Sequence, residues 1–282
     1  MMSLRKAALQ RFRAVARGSK ARALPAPLRT AQLNWQYPDG PDRLVRSPVF
    51  LFSPSRSGST LLRSVLNSHS KICAPHEMHL NRLKVTVSQK YARKAVEDLG
   101  LTTDELENLL WDRILHQQLV RSRKSIIVDK TPHNVSFWPR VAASWPAARY
   151  LYLIRHPAAI ARSHAEARPA VDLDTHIRGV LWYGRHIAAA REHLPGHLVR
   201  YEDLVTEPEQ ATQGICSWLG VRWERSMLDY GRFDHGSYRR QGTGDWSTNI
   251  KSGKIQALRP PPPTPPELVE LAESWGYSTD GG

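Results

Sequence analysis

The stretch Ser53-Pro54-Ser55-Arg56-Ser57-Gly58-Ser59-Thr60 gathers groups that hold an anion. Arg56 supplies a permanent cation, Ser57, Ser59 and Thr60 supply hydroxyl donors, and Gly58 lets a backbone come close to its ligand. Ser47–Phe52 is a short apolar run suited to a central strand, and Leu61, Leu62, Val65 and Leu66 follow at helical spacing. The polar turn is therefore expected at a helix N-terminus on the end of a strand. Unpaired N–H groups and the helix dipole favour negative charge there, which makes the turn a phosphate cradle. The nucleoside-triphosphate pattern G-x-x-x-x-G-K-[ST] is not met: Ser53 takes the place of its first Gly and Ser59 that of its Lys. Without a lysine that reaches the β/γ-phosphates, a triphosphate donor is disfavoured. A small-molecule kinase on the same architecture is the alternative reading.

Several further elements are needed to surround such a turn. Ser125–Val128, Arg149–Ile154 and His197–Tyr201 read as three more buried strands. Between them lie expected helices at about 80–99, with Leu83, Val87, Tyr91 and Ala95 on one face, and from Thr102 onward, with Leu106, Leu109, Leu110 and Ile114 on one face. Thr102-Thr103-Asp104-Glu105 has the form of a capping box for the second of these. A short helix is expected at 134–144, and further helices at about 158–167, 174–193 and 208–219. Strands that alternate with helices need crossovers, so the fold class is α/β: a mainly parallel sheet of four to five strands with helices on both faces, P-loop NTPase-like. In such sheets ligands sit outside the carboxyl ends of the strands. Four polar clusters fall there: Arg56–Thr60, Asp129-Lys130, Arg155-His156 and Tyr201-Glu202-Asp203.

Residues 1–30 carry Arg5, Lys6, Arg11, Arg13, Arg17, Lys20, Arg22 and Arg29 and no acid, eight of the chain's formal +14. That leaves +6 on the other 252 residues, a modestly basic body suited to a polyanionic small molecule, with no stripe of the kind specific nucleic-acid binding prefers. The segment 1–30 is expected to be a disordered basic tail, although its composition is also that of a transit peptide. Residues 31–258 are expected to form one domain, and 259–282 a proline-rich segment with a short helix at Glu267–Trp275. No apolar run approaches a membrane span. Cys73 and Cys216 make neither a disulfide framework nor a metal-ligand spacing, which fits a reducing, cytoplasmic setting. Oligomeric state is not legible.

Ser-Pro-Ser-Arg-Ser-Gly-Ser-Thr-Leu-Leu-Arg resembles the 5′-phosphosulfate loop of the sulfotransferase family, and Cys73-Ala74-Pro75-His76-Glu77-Met78-His79-Leu80 resembles its stand-alone bacterial and polyketide-synthase-associated branch. With gaps, the similarity runs from about Ser47 to about Ile255. It implies transfer of a sulfuryl group from 3′-phosphoadenosine 5′-phosphosulfate (PAPS) to a hydroxyl, with 3′,5′-diphosphoadenosine as product and no metal. By resemblance, the loop residues Arg56, Ser57, Gly58, Ser59 and Thr60 hold the 5′ end, and Arg155 and Ser163 match the spacing of the 3′-phosphate site. Tyr201 sits where the family places a group near the nucleotide, and Lys254 (or Lys251) and Trp246 lie in a stretch that resembles a loop closing over it. Lys130, in Asp-Lys-Thr-Pro, resembles the family lysine at the leaving oxygen, a role Arg56 shares. An alcohol needs a general base. Glu77 lies 21 residues past Arg56, the spacing of the glutamate in tyrosylprotein sulfotransferases, and His79 and His76 are its rivals. The resemblance leaves the acceptor open: a small-molecule or carrier-tethered hydroxyl, or a glycan or lipid.

Overall fold

Strand β1, Val49–Phe52, is the middle of a five-stranded parallel sheet in a computed structural model that describes residues 42–235 and 248–279. The others are β2 (Ile72–Cys73), β3 (Ile126–Asp129), β4 (Arg149–Ile154) and β5 (Gly196–Arg200), in the order β2-β3-β1-β4-β5. Phe50 aligns with Asp129 on one side and with Tyr150 on the other. Three of the four expected strands stand next to one another, and β5 extends the sheet beyond β4. The fifth strand, β2, has only two residues, too few to show a period in sequence.

Side chains alternate across the sheet. Phe50, Phe52, Tyr150 and Tyr152 point to one face, where Trp145 lies 5.5 Å from Phe50 and Trp111 joins the same cluster. Val49, Leu51, Leu151 and Leu153 point to the other, against Leu61, Leu62, Val65 and Leu66 of helix α1 (Ser59–Asn67). Both faces are covered, as an all-parallel sheet requires. Each such side chain, fully buried, contributes about 1.5–3 kcal/mol. The remaining helices are α2 (Lys90–Asp98), α3 (Thr103–Ser122), α4 (Trp138–Ser144), α5 (Pro157–Ala167), α6 (Leu173–His193), α7 (Tyr201–Thr206), α8 (Pro208–Leu219), α9 (Thr248–Lys251) and α10 (Pro266–Ser274). None of the described helices is long and apolar enough to cross a membrane.

Two helix expectations are corrected. Residues 80–99 do not form one helix: Leu80–Arg82 make a 3-10 turn, 83–89 are irregular, and only Lys90–Asp98 is α-helical, burying no residue, with Tyr91 85% exposed. The irregular stretch is tied down instead by its backbone, with Trp111 Nε1 donating to the Leu83 carbonyl and the Val85 N–H donating to Glu107. In α3 the buried residues are Glu107, Trp111, Asp112 and Leu115, while Leu109 and Leu110 are exposed. The two carboxylates turn that face inward because they have partners there: Asp112 accepts from the N–H groups of Leu44 and Val45, and Glu107 pairs with Lys84 and Arg140. The Thr102 cap is made, its Oγ accepting from the Glu105 N–H at 3.1 Å, but the Glu105 carboxylate pairs with Arg43 rather than completing the box. Residues 1–41, which include the expected tail 1–30, and Trp246 lie outside the described residues.

Candidate active site

The turn between β1 and α1 carries two residues in the left-handed region, Arg56 (φ 66°) and Gly58 (φ 93°). Gly58 is the N-cap of α1, with the Leu62 N–H bonded to its carbonyl, so the first N–H groups of the helix have no partner within it. A Cβ on Gly58 would stand 2.2 Å from Tyr201 Cδ2, so only glycine fits. Arg155, at the end of β4, donates from Nη1 to the Arg56 carbonyl at 3.1 Å and lies 4.3 Å over the Tyr201 ring. Arg56 Nε in turn donates to Ser163 Oγ at 3.3 Å. Arg155 Nε is buried without a hydrogen-bond partner among the described residues. Burial pulls this guanidinium below its ordinary pKa, while Tyr201 and Glu202 act in the other direction. A buried cation beside unpaired helix amides fits a bound phosphate or sulfate.

One expected donor is corrected. The Ser57 hydroxyl is fully buried and donates to the Pro54 carbonyl at 2.7 Å, so it holds the turn and has no proton left for a ligand. Ser59 and Thr60 do line the cavity in front of the loop. Glu202, from the Tyr201-Glu202-Asp203 cluster, is also structural: it accepts from the His156 N–H and from the Tyr277 hydroxyl.

Lys130 leaves β3 almost completely buried and donates to Glu77 Oε1 at 2.6 Å. Burial pushes its ammonium below the usual lysine range, Glu77 holds it up, and Arg63 pushes it further down. Glu77 Oε2 lies 3.4 Å from His79 Nε2, so the expected base and its rival face each other. The Glu77 side chain is 19% exposed and that of His79 45%. Behind them Asp129, fully buried, accepts from Thr131 Oγ1 at 2.9 Å and from Asn134 Nδ2 at 2.7 Å. The His79 N–H donates to the same Thr131 oxygen at 3.3 Å, which pins the Glu77–His79 loop to the end of β3.

Burial pushes Asp129 up to about 6 from 3.8. A group whose folded pKa is raised favours the folded state while protonated and loses that advantage as pH rises through the window between the two values. The ionised form therefore costs up to about 3 kcal/mol by about pH 7. Thermal melts of wild type and Asp129→Asn are expected to converge near pH 4. The balance should shift toward the variant between about pH 4 and 6. A pH-independent difference would show that Asp129 carries no buried charge.

Two cavities meet at Arg56 and Gly58. The first, about 520 Å³, is lined by the loop, Glu77 and His79, and by His133, His164, Arg168 and Tyr183. The second, about 410 Å³, is lined by Arg155, Ser163, Tyr201 and Lys254, together with Arg162, Glu166 and Arg259. Of the described residues expected to bind or react at this site, Ser57 and Lys130 stand directly behind the lining, and His76 and Lys251 line neither cavity. The others border one cavity or the other. The sequence reading missed His164, which stands next to Ser163 in the chain. Neighbours on a helix point about 100° apart, so Ser163 faces one cavity and His164 the other. His164 Nε2 lies 3.0 Å from Ser55 Oγ, and burial with His176 and Arg56 nearby pushes it down to about 4, so it is neutral at physiological pH.

Residues 48–225 match the family model described as "Sulfotransferase family". An uncharacterized protein of Aquifex aeolicus is 26% identical over 204 residues, covering 66% of this chain and 27% of its own. Protein-tyrosine sulfotransferase 1 of Danio rerio is 24% identical over 200 residues, covering 64% of this chain and 55% of its own. The chain thus spans about a quarter to about half of the length of these relatives. Among solved structures, the sulfotransferase domain from the curacin biosynthetic pathway superposes with a TM-score of 0.61 at 23% identity, covering 84% of this chain and 99% of that one.

Proposed function

The chain belongs to the sulfotransferase family, and from that premise we propose that it transfers a sulfuryl group from PAPS to the hydroxyl of a small or carrier-tethered acceptor. The observation that carries the reading is the meeting of two cavities at one loop, with Arg155, Ser163 and Lys254 lining one and Glu77 the other. Arg155, Ser163 and Lys254 would hold the 3′-phosphate beside Tyr201, and the α1 amides with Ser59, Thr60 and Arg56 the 5′ end. When bound, the donor supplies an activated sulfuryl group whose bridging oxygen becomes negative as the nucleotide leaves. Glu77 takes the proton of the acceptor hydroxyl, with its other oxygen anchored by Lys130. Lys130 has two further N–H donors, and together with Arg56 it offsets the charge on the leaving oxygen. Cys73 and Cys216 are buried free thiols, which supports a reducing, cytoplasmic setting.

The kinase reading meets a specific obstacle: Ser59 occupies the position of the phosphate-loop lysine. At a hundredfold excess over Kd, 3′,5′-diphosphoadenosine is expected to raise Tm by about 5–10 °C. ATP with magnesium is expected to leave Tm unchanged. The reverse pattern would replace sulfuryl transfer with phosphoryl transfer.

A further inference from the structure

The first cavity restricts its own ligand. Among the described residues, no Leu, Ile, Val, Met or Phe lines it. Its surface beyond the loop is Glu77, His79, His133, His164, Arg168 and Tyr183, with only the small apolar Pro132 and Ala167 besides. A steroid or a lipid chain would meet polar groups there and leave them unpaired, which is costly. The charges are also unbalanced. Glu77 is the one acid among the described residues of the lining, and Lys130 already pairs with it at 2.6 Å. Arg56 and the α1 N-terminus serve the donor. Arg168, the residue that ends α5, is then a surplus cation: its carbonyl accepts from His176, but its guanidinium has no carboxylate partner among the described residues. It lies close enough to His164 and Tyr183 to act on both electrostatically, and Arg82 acts likewise on His133. Arg168 and Arg82 thus place positive charge beside His164 and His133 on this side of the cavity.

We propose that the acceptor is a compact, polar hydroxyl compound that carries its own anion, a phosphate or a carboxylate, and that Arg168 binds this anion while Glu77 faces the hydroxyl. This rests on the sulfuryl-transfer reading and narrows its substrate class. A cavity of about 520 Å³ holds a small metabolite. An anion on the acceptor gives Arg168 a charge-assisted partner that a neutral polyol cannot supply.

Calorimetric titration of the full chain, saturated with 3′,5′-diphosphoadenosine so that the nucleotide side is closed to other phosphates, tests the proposal. The probes are two matched pairs: myo-inositol 1-phosphate against myo-inositol, and gluconate against glucose. In at least one pair the anionic member is expected to bind about tenfold or more tightly than its neutral partner. The pair that responds separates phosphate from carboxylate. Arg168→Gln, at an exposed position, should erase most of that preference while leaving the nucleotide affinity and the melting temperature unchanged. Equal or tighter binding of both neutral members, no heat from any probe at millimolar concentration, or a preference that survives Arg168→Gln would each overturn the anionic acceptor. Failure of the unaltered chain to bind the nucleotide would instead overturn sulfuryl transfer.

Discussion

Glu77→Gln is expected to lower sulfuryl transfer by about two to four orders of magnitude, the usual worth of a positioned general base, with the affinity for 3′,5′-diphosphoadenosine retained. The amide keeps an oxygen that can accept from Lys130, so the loop stays tethered, but it cannot take a proton at neutral pH. The loss of the ionic partner leaves Lys130 buried with less compensation, and a fall in stability of about 1–3 kcal/mol should accompany the change. Nucleotide binding separates that effect from the chemical one, because the nucleotide cavity does not include Glu77. His79→Gln should cost much less: His79 is more exposed and lacks the contact to a buried lysine. Turnover of the Glu77→Gln variant near the wild-type rate, or a larger loss at His79, would move the role of base away from Glu77.

Gly58→Ala is expected to weaken nucleotide binding by about tenfold or more, through geometry alone. At φ 93° a side chain is strained by about 1–2 kcal/mol. The new methyl would also fall 2.2 and 2.5 Å from two carbons of the Tyr201 ring. Either the ring leaves its place beneath Arg155 or the loop shifts, and both disturb the contact from Arg155 to the Arg56 carbonyl. The double variant Gly58→Ala/Tyr201→Ala removes the clash and keeps the strain. Its melting temperature should therefore exceed the value expected from adding the two single effects, a coupling characteristic of residues in contact. Strict additivity would mean that the close packing of Gly58 on Tyr201 is not what excludes a side chain.

Much of this was legible in the residues. The apolar runs at 49–52, 126–128 and 149–154, each followed by a polar turn, specify buried parallel strands whose ends carry ligands, because a β-strand with both faces covered has few polar positions to spare until it stops. Arg56, Lys130 and Arg155 were therefore identifiable as chemistry, whereas Glu77, which follows the two-residue β2, was marked only by the family resemblance. Their partners were not. Whether Ser57 or Ser59 faces a ligand depends on which hydroxyl the Pro54 carbonyl captures, and whether Ser163 and His164 share a cavity depends on where the axis of α5 lies. The buried face of α3 turned toward Glu107 and Asp112 for the same kind of reason: distant backbone N–H groups and cations needed those carboxylates. Hydrophobic periodicity is a property of neighbouring residues and can be read locally. Pairing of buried polar groups is settled between residues tens of positions apart, such as Glu77 with Lys130 and Arg56 with Arg155, and it exists only once the sheet has brought their strand ends together.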